Sequence, residues 1–251
     1  MDWVASTQFV RWPQAGAPVS PATWFRELRV FAKCLVSPPP HPRNAARGHG
    51  EPVLLVPAFL SPDVSTAALR KFLRRQGFAP EPWGCGVNFG PTTGALTRLR
   101  VGIRASSERH GRKVSVIGIS LGGTLAREAA KECVDCIERL VTVASPVNPP
   151  VITPLAPIAQ LASLFWDSDM KLAAARVAEP PPVPVTAIVS LTDGVIDWRA
   201  CIPQTSAQTE IVTVCGSHMT LGSNPEVMRV IAARLAGCQN SAGWEGPPGT
   251  V

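Results

Sequence analysis

Residues Val114–Gly123 read VSVIGISLGG, and the rest of the chain is organised around them. A continuous apolar run that ends in turn residues marks a fully buried parallel strand. This one passes directly into G-x-S-x-G, with Gly118, Ser120 and Gly122 at the fixed places. A strand, a sharp turn and a helix are therefore predicted. A serine at the apex of such a turn needs near-absent side chains two residues to either side, since anything larger would collide with the flanking backbone. Gly118 and Gly122 meet that need. The following LGGTLAREAAK predicts a helix whose first amide, that of Leu121, faces the place where a negative oxygen would sit, with the helix dipole behind it. Gly122, Gly123 and Ala126 are small enough to let that helix press on the sheet.

Moving outward, EPVLLVPAFL (residues 51–60) reads as a second buried strand ending in Pro57, Ala58 and Phe59. The turn after such a strand can supply a second backbone amide to the same oxygen; Phe59 is the first candidate and Ala58 the second. Residues 65–77 predict a helix with Leu69, Phe72 and Leu73 on one side and Gly77 as its stop. The turn-rich 79–94 segment is expected to hold a short strand around Cys85 to Phe89. A helix over 95–111 leads back to the central strand. Further strands are expected at Arg139–Ala144, Val185–Ser190 and Ile211–Cys215, and a last helix opens at Asn224 and Pro225 and stops at Gly237. Strands and helices thus alternate. The fold class is α/β, a doubly wound, mostly parallel sheet of about six strands.

Three segments stand outside that alternation. Residues 1–50 form an N-terminal extension whose one regular element is a helix over 21–36, with Trp24, Leu28, Phe31 and Leu35 at helical spacing. That helix is either a lid-like or interfacial element or a cover for one flank of the core. Residues 148–182, rich in proline and carrying an apolar cluster at 161–166, predict a small insert that is either a cap over the site, suited to a hydrophobic acyl or alkyl group, or a plain packing excursion. Residues 238–251 form a Gly- and Pro-rich tail. The domain proper is expected over 51–237.

Composition narrows the classes of function. At 251 residues, 45% hydrophobic and 17% charged, the chain suits one soluble domain with a sizeable core. No apolar run approaches the roughly eighteen residues a spanning helix needs, and no secretory leader is visible, so a cytoplasmic protein is expected. Seven scattered cysteines are an odd set in a large domain, and reduced thiols are expected. The net charge of +6 is spread over several amphipathic segments, which argues against a nucleic-acid partner. No phosphate loop, dinucleotide fingerprint or zinc spacing occurs; Cys133 and Cys136 lack a second pair. No cofactor or metal is implied.

A serine hydroxyl is a poor nucleophile at neutral pH and needs a base, which in turn needs an acid to hold its tautomer. Of four histidines, His41 and His49 lie in the N-terminal connector and His110 ends a helix. His218 alone follows a strand. Asp193, directly after the Val185–Ser190 strand, is favoured as the acid over Asp197, and Asp167 and Asp169 fall in the insert. Nucleophile, acid and base then occur in the order Ser, Asp, His, each just past a strand's carboxyl end.

In these motifs the chain resembles the α/β-hydrolase superfamily, and within it the bacterial lipase and esterase-like serine hydrolases. The resemblance covers about residues 52–235: LLVPAFL, WGCGVNFGP, GISLGG, LVTVASPV, TDGVIDWRAC and GSHMTLGSNP, in that order. It implies Ser120 as nucleophile, His218 as base, Asp193 as acid, and the amides of Phe59 and Leu121 as oxyanion hole. The implied substrate is a small hydrophobic carboxylic ester, with transient contact to a lipid surface. An acyltransferase using the same three residues and a non-catalytic binding module are the alternatives. Two departures stand out. Pro57 and Ala58 replace the His-Gly or Pro-Gly common before the oxyanion residue, which puts a methyl group at a position that in relatives often tolerates positive φ. ASPVNPP replaces the Ser-Pro-His type sequence of true lipases.

Overall fold

A computed structural model describes residues 19–90, 92–148, 151, 153, 176–204 and 206–237. Six strands, β1 (Pro52–Val56), β2 (Ala79–Pro82), β3 (Val114–Ile119), β4 (Ile137–Val143), β5 (Val185–Ser190) and β6 (Thr209–Val214), form one sheet in the order β2-β1-β3-β4-β5-β6. Every pairing is parallel. Among the described residues five α-helices accompany them: α1 (Pro21–Val36), α2 (Ala67–Arg75), α3 (Thr93–His110), α4 (Leu121–Ala130) and α5 (Pro225–Leu235).

Alternation along the strands explains the layers. On β1, Leu54 and Val56 join Leu96, Leu99 and Ile103 of α3 and Leu125 and Ala126 of α4 in one core cluster. Val53 and Leu55 join Leu69, Phe72 and Leu73 of α2 and Val227, Met228 and Ile231 of α5 in the other. Both faces are covered, so every residue of β1 and β5 is buried, and β1 reads as an unbroken apolar run while β5 carries only Thr186 and Ser190 as polar residues. Each fully buried leucine or phenylalanine in these clusters contributes on the order of 1.5–3 kcal/mol. The chain runs from β1 out to β2 and then returns to β3 on the other side of β1. That reversal is a topological switch point, and it sets the carboxyl ends of β1 and β3 side by side.

Two expectations are corrected. The strand expected around Cys85 to Phe89 is instead β2, Ala79–Pro82, and the later segment is a set of turns with Gly84, Gly86 and Gly90 at φ 72°, 77° and 99°. Pro80 and Pro82 hide β2 from a pattern reading, but at the sheet's edge the lost donors cost little.

The second correction concerns α1. Its start is as predicted: Pro21 opens it, and Ser20 and Thr23 form a reciprocal capping box. Its packed face is so only in part. Leu28 is 39% and Leu35 is 69% exposed, whereas Glu27 is fully buried, on the side shared with Thr23, Trp24, Phe31 and Cys34. Trp24 and Phe31 pack as hydropathy predicts, and the face is turned from Leu28 and Leu35 toward Glu27 because that carboxylate finds hydrogen-bond donors where it is buried. The packed side of α1 lies on the His218–Ser223 turn.

Residues 1–18, most of the 148–182 insert with Asp167 and Asp169, and the 238–251 tail lie outside the described residues. The end of the insert is tied to α4, with Lys131 Nζ donating to the Arg176 carbonyl at 2.7 Å. No helix among the described residues is long and apolar enough to cross a membrane.

Candidate active site

Ser120 stands between β3 and α4 at φ 51°, ψ −126°. Such a backbone costs a non-glycine residue about 1–3 kcal/mol and persists only where its surroundings enforce it. Three glycines show how. A Cβ on Gly118 would lie 2.3 Å from Gly123 Cα, one on Gly122 would lie 2.3 Å from the Pro57 carbonyl oxygen, and one on Gly123 would lie 2.0 Å from Ser145 Oγ. None of the three has room for a side chain. The Ser120 amide donates to the Val143 carbonyl at 2.8 Å, and the Ser120 carbonyl accepts the Gly123 amide at 2.8 Å. As the first residue of α4, Leu121 has an amide beyond the reach of the intrahelical ladder.

The neighbouring turn after β1 closes with the Ser61 amide donating to the Ala58 carbonyl at 3.1 Å. Positive φ falls on Leu60, at 55°, and not on Ala58, so the methyl group of Ala58 meets no backbone penalty. Asn88 holds this turn. It is fully buried, donates Nδ2–H to the Pro57 carbonyl at 2.7 Å, and accepts the Gly90 amide on Oδ1 at 3.0 Å. Its carbonyl accepts the Leu60 amide at 2.7 Å. Sequence reading passed over Asn88, because an asparagine among glycines first signals a turn. At Gly90, a Cβ would lie 3.5 Å from both the Phe59 ring and Leu121 Cδ2, so this turn borders both candidate oxyanion residues.

On the other side, His218 opens the short turn that follows β6. Its Nε2 lies 3.0 Å from Ser120 Oγ and its Nδ1 lies 2.5 Å from Asp193 Oδ2. With Nδ1–H donating to the carboxylate, Nε2 is left to accept the serine proton; this tautomer follows from the partners. The second oxygen of Asp193 accepts the amides of Val195 and Ile196, both at 2.8 Å, which fixes the carboxylate's rotation. The Asp193 side chain is 1% exposed and that of His218 10%. Asp197 does other work, accepting the Arg199 amide at 3.0 Å at the start of the Trp198–Cys201 turn.

The remaining histidines lie elsewhere. His41 stacks on Phe72 at 6.0 Å, where burial and the nearby Arg75 and Lys71 hold its pKa below the usual imidazole range. His110 pairs with Glu81 at 2.9 Å, and His49 is exposed. Cys133 and Cys136 lie just before β4, at the opposite end of the sheet from Ser120, and burial pushes the Cys133 thiol up. Among the described residues, no three His, Cys, Asp or Glu side chains gather as metal ligands would.

No protein-family profile matches the chain, and no curated protein matches it in sequence. Solved structures do match it in shape. The monoacylglycerol lipase of Paleococcus ferrophilus superposes with a TM-score of 0.54 at 18% identity, over 76% of this chain and 97% of that one. A pyrethroid hydrolase gives 0.53 at 16% identity, over 74% and 97%. A lipase-esterase related protein from Clostridium acetobutylicum gives 0.52 at 15%, over 78% and 98%. At such identities the likeness defines architecture, and with the six-stranded parallel sheet it shows that this chain has the α/β-hydrolase fold.

Proposed function

We propose that the protein is a serine hydrolase that cleaves carboxylic esters of hydrophobic acyl groups through an acyl-enzyme on Ser120. The observation that carries this reading is the unbroken line from Ser120 Oγ through His218 to Asp193, at 3.0 and 2.5 Å. His218 Nε2 takes the serine proton as Oγ attacks the ester carbonyl, and the new imidazolium is held by Asp193. Negative charge gathers on the former carbonyl oxygen, where the amides of Leu121 and Phe59 stabilise it. Collapse expels the alcohol, which receives the proton from His218. Water then attacks the acyl-serine by the same route and releases the acid.

A hydrophobic acyl group is supported by the surface around the β1 turn. Leu60, whose amide donates to the Asn88 carbonyl, and Phe89, between Asn88 and Gly90, are 48% and 64% exposed. Such side chains suit an alkyl or aryl chain better than a charged substrate. The solved neighbours named for lipase and pyrethroid hydrolase activity point the same way.

The test is hydrolysis of a p-nitrophenyl ester series, acetyl through palmitoyl, by wild type and Ser120→Ala, with organophosphonate labelling alongside. Ser120→Ala should lose on the order of 10⁶ in kcat and should take no label. Wild-type turnover retained in that variant on the esters it cleaves would end the proposal.

A further inference from the structure

We propose that Glu27 of α1 is a positioning residue for the Asp193–His218 pair, its buried carboxylate tying the loop that carries the acid to the loop that carries the base. The inference rests on the reading of Ser120, Asp193 and His218 as a catalytic triad. One carboxylate oxygen, Oε1, accepts the Gly194 amide at 2.8 Å. The other, Oε2, accepts the Ser217 hydroxyl and, at 3.2 Å, the Met219 amide. Gly194 follows Asp193 directly, and Ser217 and Met219 flank His218 on both sides. A single side chain therefore touches the immediate neighbours of both members of the pair.

A carboxylate is costly to bury without partners, and this one is fully buried. Its nearest cation, Arg26, stands off at 3.9 Å and directs its guanidinium to the Thr192 carbonyl at 2.6 Å. The three donors are what hold Glu27 in. They belong to irregular loops past the ends of β5 and β6, where no strand ladder continues to absorb them. An apolar residue at position 27 would fill the space and leave two amides without acceptors.

The approach is close enough to demand glycine opposite. A Cβ on Gly194 would lie 2.8 Å from Glu27 Cγ and Oε1 and 3.0 Å from the Thr23 carbonyl oxygen. The two loops also touch directly, with the Gly216 amide donating to Thr192 Oγ1 at 2.9 Å and Ser190 Oγ to the Gly216 carbonyl at 2.7 Å. Those bonds grip the loops before Asp193 and His218, whereas Glu27 grips the residue after Asp193 and both neighbours of His218. Between the two ties, Asp193 and His218 are held at one separation.

Glu27→Ala and Glu27→Gln test this in the full chain, with circular dichroism to confirm folding. In wild type, the His218 Nδ1–H proton should give a low-field NMR signal from its bond to Asp193. Glu27→Ala should lose that signal and about 100-fold in kcat, with KM within about twofold, since an error near 1 Å in a reacting group costs roughly that much. Glu27→Gln keeps the shape, but its amide nitrogen opposes a donor on one loop, so kcat should fall about tenfold. A folded Glu27→Ala protein with wild-type kcat and an unchanged signal overturns the proposal, as does a loss of stability with no change in kcat per folded molecule. Should Glu27→Ala fail to fold, Ser217→Ala removes one donor to Oε2. A drop in its kcat with KM unchanged supports the proposal, and wild-type kcat overturns it. If wild type cleaves no ester and takes no phosphonate, the ester reading fails, and loss of the low-field signal in Glu27→Ala still reports on Glu27 alone.

Discussion

The turn that holds Ser120 and the loops that hold Asp193 and His218 meet at one hydrogen bond but are built by different means. The serine turn is made by sterics centred on one short motif: Gly118, Gly122 and Gly123 leave the backbone of β3, α4 and the β1 turn in mutual contact. On the Asp193 and His218 side the tightest approach, at Gly194, is to a side chain and not to strand or helix backbone. Its loops are fixed by side-chain hydrogen bonds, and one acceptor, Glu27, lies 167 residues from its Gly194 partner. Strain can be stored where close packing over-determines the backbone, so Ser120 sits at φ 51°. The proposed relay needs a distance held, and three donors on one carboxylate suit that need.

Short of removing Ser120 itself, breaking the Asp193–His218 half should have the largest effect. Asp193→Asn leaves a side chain that can present its amide to His218 and select the wrong tautomer, so kcat should fall about 10⁴-fold in steady-state ester hydrolysis. Asp197→Asn is the control. Asparagine caps a turn as well as aspartate does, and activity should stay within about twofold. Equal losses in both variants would erase the distinction between the two acids.

Breaking the serine half should show first as lost stability. Gly122→Ala sets a methyl against the Pro57 carbonyl, and overpacking of this kind costs about 1–3 kcal/mol, readable as a lower urea midpoint at constant m. Activity should fall with it, because the displaced backbone leads into the Phe59 turn. An unchanged midpoint would mean that the turn is not sterically determined.

The smallest effect is expected at Ala58. Since positive φ falls on Leu60, Ala58→Gly relieves nothing and should destabilise by about 0.4–1 kcal/mol through the unfolded chain, with ester turnover unchanged. A rise in turnover would show that the methyl group does distort the oxyanion turn.

Where sequence reading succeeded, the signal was local. The apolar runs at β1, β3 and β5 are legible because strands buried on both faces have no polar side to break the pattern. Asp193 and His218 stood out by following a strand end; the structure brings His218 within hydrogen-bond distance of both Asp193 and Ser120, and their catalytic roles are the proposal made above. The failures share a cause of the opposite kind. β2 was missed because prolines argue against a strand unless its edge position is known. On α1, hydropathy chose Leu28 and Leu35 for the packed face, and only the donors on two distant loops explain why Glu27 lies there instead. Asn88 was lost among turn signals in the same way.

The amino-acid sequence by itself determined the alternating α/β order, the serine turn and the three residues to compare, because each depends on periodicity or steric need within a few neighbouring positions. Only the tertiary structure decided that Asn88 braces the turn beside Ser120, that Ala58 escapes positive φ, and that α1 delivers a carboxylate to the loops of Asp193 and His218. Those depend on hydrogen bonds between segments far apart in the chain, and a donor's need for an acceptor leaves no periodic trace in the sequence that supplies it.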